Sequence, residues 1–346
     1  MNDNKRTKIW KMDESTNLIA DKQIIEAADM IKKGGLVAFP TETVYGLGAD
    51  ATNEAAVRKI FTAKGRPSDN PLIAHFGDRE TVAQFVDDIP QKARQLMDAF
   101  WPGPLTIILP SKGKLAQNVT AGLETVGVRI PDHPIALALL KNVGKPVAAP
   151  SANQSGKPSP TLAEHVSHDL NGKVDGIIDG GKVGVGVEST VIDCTVDVPV
   201  ILRPGGVTRK QIEAVIGPVH VATGAAETDT PRSPGMKYKH YAPSIPIWLI
   251  TGPSDVMEKK AKELRDQGKK VSYLVSAERA AELKLLDDVI ILGSRENLSN
   301  IANHLYESLR KIDQLNTDLV LAESFPNQGI GEALMNRLER AATVIL

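Results

Sequence analysis

Between residues 40 and 75 the chain sets cations, hydroxyls and amides into two short stretches marked by proline and glycine. PTETVYGLG, from Pro40 to Gly48, carries Thr41, Thr43 and Tyr45. KGRPSDNPL, from Lys64 to Leu72, carries Lys64, Arg66, Ser68 and Asn70, and His75 lies just beyond. Neither stretch has the period of a helix or a strand, so core packing does not account for these residue types. Two cations beside hydroxyl and amide groups can hold an anion by charge and orient it by hydrogen bonds, provided partners converge from elsewhere.

Later stretches offer such partners. GVRIPDHP puts Arg129 in an extended run, where a guanidinium is either paired with a carboxylate or pointed at a ligand. APSANQSGKPSPT brings Ser151, Asn153, Ser155, Lys157 and Ser159, a loop able to present hydroxyls and backbone N–H groups to phosphate. EST sets Ser189 before an apolar run. ILRPGG ends another on Arg203, and its glycines Gly205 and Gly206 either admit a close backbone approach or simply make the turn. Each cation could be a separate surface or salt-bridge residue. Their common position beside predicted strand ends favours one anion-lined cleft, since ligands in α/β folds gather at such loops.

Familiar signatures are missing: there is no GxxxxGK[ST], HExxH, kinase set or GxSxG elbow. The serines lack an evident Ser, His, Asp arrangement, and His133, His165, His168 and His240 fall in unrelated contexts. Positioning and charge neutralisation, as in phosphoryl or nucleotidyl transfer, fit better than a covalent nucleophile.

The elements that hold these residues alternate in type. Asp21 is placed to cap a helix whose apolar face holds Ile24, Ala28 and Ile31 and which Gly34 and Gly35 end. LVAF at 36–39 reads as a buried strand and AAVRKIFTAKG at 55–65 as a helix. Extended runs follow at PLIAHF, LTIIL, GVRI, PVAA, DGIID, STVID and PVILR, with helical patterns over 91–100, 134–143, 161–170 and 208–216. The strands of 174–202 come without helices between them, which predicts an α/β domain over 1–217 built on a twisted mixed sheet.

From 218 to 244 the periodicity stops, and a linker rich in Pro, Gly, Thr and Ser is expected. Its second half, SPGMKYKHYAP, gathers Lys237, Tyr238, Lys239, His240 and Tyr241, a mix suited to packing over a nucleotide. Residues 245–346 alternate strand and helix again, the pattern of a smaller parallel-sheet, Rossmann-like domain. No GxGxxG follows its first strand, so a dinucleotide site is not expected there.

Composition narrows the classes. At 346 residues the chain exceeds what one core usually fills, which agrees with two domains. A formal net charge of -1 argues against a general polyanion binder, so any basic site is local. The single cysteine, Cys194 in STVIDCT, excludes an internal disulfide, argues against structural zinc, and reads as a core residue. The N-terminal MNDNKRTKIWKMDES has no apolar segment after its charges, and no run of about 18 apolar residues occurs, so a cytoplasmic protein without a membrane anchor is expected.

Taken in order, PTETVYGLG, KGRPSDNPL, PSANQSG, EST and RPGG, followed by SPGMKYKHYAP, resemble the threonylcarbamoyl-AMP synthase family in its two-domain form, with an N-terminal YrdC-like domain. The resemblance implies a nucleotidyltransferase that combines L-threonine, bicarbonate and ATP, with Mg2+, into threonylcarbamoyl-AMP and pyrophosphate. The product would pass to a downstream threonylcarbamoyl transferase complex that modifies the adenosine next to the anticodon in tRNA; direct tRNA binding is left open. It also implies a threonine pocket of Thr43, His75, Arg129, Ala149 and Ser189. ATP contacts would come from Arg66, Asn70, Thr125, Ser151, Ser159 and Arg203, completed by Lys64 and Asn153 and, from the linker, by Tyr238 and His240. Charge stabilisation would fall to Lys64, Arg66 and Arg203, with no protein metal ligand assigned.

Two rivals make different demands. A non-catalytic module for tRNA or double-stranded RNA would use the same basic cleft, but the near-zero net charge and 4% aromatic content weaken it. A carbamoyl-transfer enzyme of the hydrogenase-maturation type should carry an acylphosphatase region and paired CxxC zinc elements, which one cysteine cannot supply.

Overall fold

LVAF forms the strand Val37–Phe39, and its side chains show how the first part of the molecule is layered. Val37 and Phe39 enter one buried cluster with Ile24, Ile31, Leu139 and Val143, while Ala38 enters another with Val57, Ile60, Leu96 and Leu170. Successive strand residues face opposite sides, so a sheet with apolar residues on both faces needs cover on both. Helices Lys22–Lys32 and Pro134–Val143 cover one face; Glu54–Lys64, Gln91–Phe100, Ala163–Leu170 and Arg209–Ile216 cover the other. Asp21 caps the first helix as expected, its carboxylate accepting from the backbone N–H of Gln23 at 2.7 Å and of Ile24 at 3.3 Å.

The computed structural model describes residues 6–13, 17–222, 241–284 and 288–346. These divide into two units. One holds the described residues up to Ser155, Pro160–Gly184, and those from Glu188 to Ala222; the other holds Gly156–Ser159, Val185–Val187 and 241–346.

In the first unit eleven described strands share a sheet. Their order is Lys8–Lys11, Gly176–Asp179, Val37–Phe39, Gly46–Asp50, Val147–Ala148, Ile73–His75, Thr125–Arg129, Leu105–Pro110, Thr190–Asp193, Val200–Arg203 and His220–Val221. Directions are mixed: Val37–Phe39 runs parallel to Gly176–Asp179 but antiparallel to Gly46–Asp50, and Ile73–His75 runs parallel to Thr125–Arg129 but antiparallel to Val147–Ala148.

Three local features depart from the sequence reading. Lys8–Lys11 is a strand although only Trp10 of its four residues is buried. GLG, the end of the non-periodic stretch PTETVYGLG, opens the buried strand Gly46–Asp50; a Cβ at Gly48 would stand 2.9 Å from both the Phe39 ring and the Val147 side chain, so close packing demands the glycine. Lys64, counted among the loop cations of KGRPSDNPL but also at the end of the helix read over 55–65, is the last helical residue and is buried, and Gly65 at a φ of +63° turns the chain out of the helix.

The second unit contains a five-stranded sheet in the order Val289–Ile291, Val271–Val275, Leu319–Glu323, Ile247–Ile250 and Val344–Ile345, parallel throughout. This is the Rossmann-like arrangement expected, with the short helix Ala277–Glu282 and the last strand as additions. Cys194 is buried in the first unit, and burial pushes its thiol up to about 12, so it is inert packing. Among the described residues no helix is long and apolar enough to cross a membrane.

Candidate functional site

Proline and glycine keep PTETVYG out of regular structure until Gly46, and side chains then fix the turn. Thr41 Oγ1 donates to the carbonyl of Val44 at 2.7 Å, accepts from the N–H of Thr43 at 3.1 Å, and lies 2.8 Å from Thr43 Oγ1. Tyr45 anchors the turn by donating its hydroxyl to the Gly181 carbonyl at 2.7 Å, and burial raises its pKa well above the usual phenol range. The backbone then joins the loop after Val147–Ala148: the N–H of Ala152 donates to the Tyr45 carbonyl and that of Leu47 to Pro150, each at 2.8 Å.

The KGR and SAN segments meet through Lys64. Its Nζ donates to the carbonyls of Ser151 and Asn153, each at 2.5 Å, while the N–H of Ser155 returns a bond to the Lys64 carbonyl at 2.8 Å. Ser151 Oγ donates to Asn153 Oδ1 at 2.6 Å, and Asn153 Nδ2 to the Gln154 carbonyl at 2.8 Å. Arg66 folds its own loop by donating from Nη2 to the carbonyls of Pro71 at 3.2 Å and Asn70 at 3.4 Å. Asn70 is buried, and its Oδ1 accepts no hydrogen bond among the described residues.

Strand register places His75 opposite Arg129, and Val147 on its other side. Burial lowers the His75 pKa to about 3, the Arg129 charge adding to the shift while hydrogen bonds to the backbone at Ile73 and Val147 oppose it. The imidazole is therefore neutral at physiological pH. Arg129 is 4% exposed, its Nε donating to the Gly103 carbonyl at 3.3 Å. Its Nη2 lies 2.7 Å from Oε1 of Glu42, whose side chain is 12% exposed. The pair is in ionic contact but its angle is not that of a hydrogen bond, and Nη2 and both Glu42 oxygens are buried without one. Ala149 is buried beside this strand group, its N–H donating to the Ile73 carbonyl at 3.1 Å.

Ser189 and Arg203 are tied directly to each other. Arg203 donates from Nη2 to the Ser189 carbonyl at 2.9 Å and to Oγ at 3.2 Å, with Nε 3.2 Å from the same carbonyl. The RPGG turn packs directly on this segment: a Cβ at Gly205 would come within 2.4 Å of the backbone of Glu188, Ser189 and Thr190. Of the two roles the sequence left open for these glycines, close approach is the one Gly205 fills. Ser189 Oγ also lies 2.8 Å from Thr106 Oγ1. Thr106 lines a narrow cleft with Pro71, Thr120, Leu123 and Thr125. Thr125 begins the strand that Arg129 ends, about 13 Å away along it.

The structure thus links Thr43, Ala149, Ser151, Asn153 and Lys64 through one set of loops, His75 with Arg129 through strand pairing, and Ser189 with Arg203 by direct bonds. Ser159 is buried within Gly156–Ser159, which groups with the second unit. Tyr238 and His240 lie outside the described residues. Sequence reasoning passed over Glu42, the single charged residue of PTETVYG, and Thr106, the partner of Ser189. Its position in the motif could have singled out Glu42; nothing in LTIIL marks Thr106. No group of three or more His, Cys, Asp or Glu among the described residues could hold a metal ion.

Comparison with known proteins agrees along the whole chain. Residues 29–205 match the Sua5, YciO and YrdC family described as "Telomere recombination", and residues 207–343 match "Threonylcarbamoyl-AMP synthase, C-terminal domain". The chain is 52% identical over 340 residues to the threonylcarbamoyl-AMP synthase of Bacillus subtilis (strain 168), covering 97% of this chain and 98% of that protein. It is 48% identical over 330 residues to the synthase of Pyrococcus abyssi, covering 94% and 95%. A crystal structure of P. abyssi Sua5 complexed with L-threonine is similar at a TM-score of 0.90 and 45% identity, over 98% of this chain and 100% of that one.

Proposed function

The chain belongs to the threonylcarbamoyl-AMP synthase family in its two-domain form, and we propose that it condenses L-threonine and bicarbonate with ATP into threonylcarbamoyl-AMP and pyrophosphate. The observation that carries the reading is the contact between His75 and Arg129 on paired strands, within a chain similar over its full length to a synthase solved with L-threonine. Thr43, His75, Arg129, Ala149 and Ser189 are assigned to threonine. Arg66, Asn70, Thr125, Ser151, Ser159 and Arg203 are assigned to ATP, with Lys64 and Asn153 shaping their loop. The assignment of Tyr238 and His240 to the nucleotide rests on the resemblance alone.

The chemistry asks for three things. Threonine must lose a proton from its ammonium so that its nitrogen can bond to the carbon of bicarbonate, whose C–OH bond breaks with loss of water, giving a carbamate. A carbamate oxygen must then attack the α-phosphorus while the bond to pyrophosphate breaks, and the charge on the phosphate oxygens must be neutralised. Arg66 and Arg203 supply positive charge, and neutral His75 can hydrogen-bond the amino acid without adding to the charge of Arg129. Magnesium in this reading arrives with ATP, held by phosphates and water more than by protein ligands, as is usual for this ion. Carbamates and acyl adenylates hydrolyse readily, and the burial of His75, Arg129, Ala149 and Ser189 favours a dry pocket.

The product would supply a tRNA-modifying transfer reaction in the cytoplasm. Pyrophosphate release from purified protein, measured with ATP, L-threonine or bicarbonate omitted in turn, tests the reading. Release is expected to need all three, and release indifferent to threonine rejects it.

A further inference from the structure

We propose that Glu42 receives the ammonium of threonine, so that Glu42 and Arg129 together read the two charges of a free α-amino acid. This rests on the threonine pocket assigned above and adds to it a residue outside that assignment.

Glu42 sits on a turn that is already rigid, between Thr41 and Thr43 and locked by the Thr41 bonds to Val44 and Thr43. Its carboxylate is removed from solvent, yet neither oxygen accepts a hydrogen bond. An ionised carboxylate has about four acceptor sites, and burying one without donors is unfavourable even beside a cation. Arg129 at 2.7 Å offsets the charge but leaves the lone pairs without hydrogen bonds. The missing element is a hydrogen-bond donor of positive charge.

Arg129 is complementary. Its Nε faces the Gly103 carbonyl and its Nη2 faces Glu42, while Nη1 has no hydrogen bond or ion pair among the described residues. A guanidinium edge in that state suits a carboxylate. A free amino acid carries carboxylate and ammonium on one carbon. Laid against the Glu42–Arg129 pair with its dipole reversed, it presents carboxylate to Arg129 and ammonium to Glu42, giving four alternating charges in a water-poor site. His75, neutral and opposite Arg129, leaves that alternation undisturbed. Discrimination follows from the same geometry, because a ligand with a hydroxyl in place of the ammonium offers the Glu42 oxygens one neutral donor and no positive charge.

Titration calorimetry of the full-length protein tests this with L-threonine and with 2,3-dihydroxybutanoate, which has a hydroxyl in place of the amine. Wild type should bind threonine at least about 10-fold more tightly than the amine-free acid, the scale of a hydrogen bond to a charged group. Glu42→Gln should weaken threonine binding by about 10- to 100-fold and leave the amine-free acid within about 3-fold. Equal or tighter threonine binding by Glu42→Gln would overturn the proposal and make Glu42 a competitor for Arg129. The wild-type comparison stands whether or not the variant folds: no preference for threonine over the amine-free acid also overturns it. A wild-type protein that binds no threonine rejects the pocket assignment itself, and the proposal with it.

Discussion

His75 shows how burial sets chemistry at one residue. A histidine in an unfolded chain titrates near about 6.5, whereas in the fold burial, with the Arg129 charge second, lowers it to about 3. Between those values the unfolded chain binds a proton that the folded chain does not. Stability from this group is therefore fully present above about pH 6.5 and is lost as pH falls through the window, at up to about 1.4 kcal/mol per pH unit. Urea unfolding at pH 7 and pH 5 should show the loss, and His75→Gln should flatten the slope by about one proton; an unchanged slope would place the titration elsewhere. Arg203 acts by charge and by position, since its guanidinium holds both the carbonyl and the hydroxyl of Ser189. Arg203→Ala should cut turnover by on the order of 100- to 1,000-fold, and Arg203→Lys should recover little of it because a point charge cannot reproduce the two-pronged contact. Pyrophosphate release by either variant at the wild-type rate would remove Arg203 from the mechanism.

At the scale of elements, the active loops are held by the ends of helices and strands more than by each other's charges. Lys64 is the clearest case, a buried helix-terminal ammonium tying the Ser151 and Asn153 carbonyls. Lys64→Met keeps the apolar stem but leaves both carbonyls without their donor. A loss of about 3 kcal/mol is expected, read as a lower urea midpoint with unchanged slope, together with weaker ATP binding; wild-type stability would show that other donors replace the ammonium. Apolar runs announced most strands, and loops after them announced most site residues, because hydrophobic periodicity and glycine or proline punctuation are local signals. What stayed hidden depends on distant partners. GLG looks like a turn until the Phe39 ring and Val147 are seen to exclude a side chain at Gly48. Glu42 is one more polar loop residue until strand pairing brings Arg129 to it. Lys64 differs from an exposed cation only in the carbonyls that the loop after Val147–Ala148 aims at it.

For the whole molecule, the division into units cuts across the order of the motifs. Gly156–Ser159 and Val185–Val187 fall in sequence among the first unit's loops yet group with 241–346. Within that second unit Arg310 Nη2 donates to the Pro158 carbonyl at 2.6 Å, and Val187 clusters with Ala302 and Ala333. A Cβ at Gly186 would stand 2.3 Å from the Cα of Asn303, so the backbone there lies directly on the helix Leu298–Ile312. Val187 is two residues from Ser189, and Pro158 precedes Ser159. Ser159, proposed above as an ATP contact, thus belongs to a segment that groups with the C-terminal part of the chain. A chain ended at Ala222 keeps every described strand of the eleven-stranded sheet and both of its apolar clusters, so it should remain folded by circular dichroism. It also loses Arg310, Ala302 and Ala333, leaving the Pro158 carbonyl and Val187 without those contacts. Threonine affinity should fall by about 10-fold or more, the scale of a few lost packing and hydrogen-bond contacts, and pyrophosphate release should fall further because ATP contacts are loosened as well. A shortened chain that is folded and turns over at the full-length rate would show that the two segments hold their positions without residues beyond Ala222.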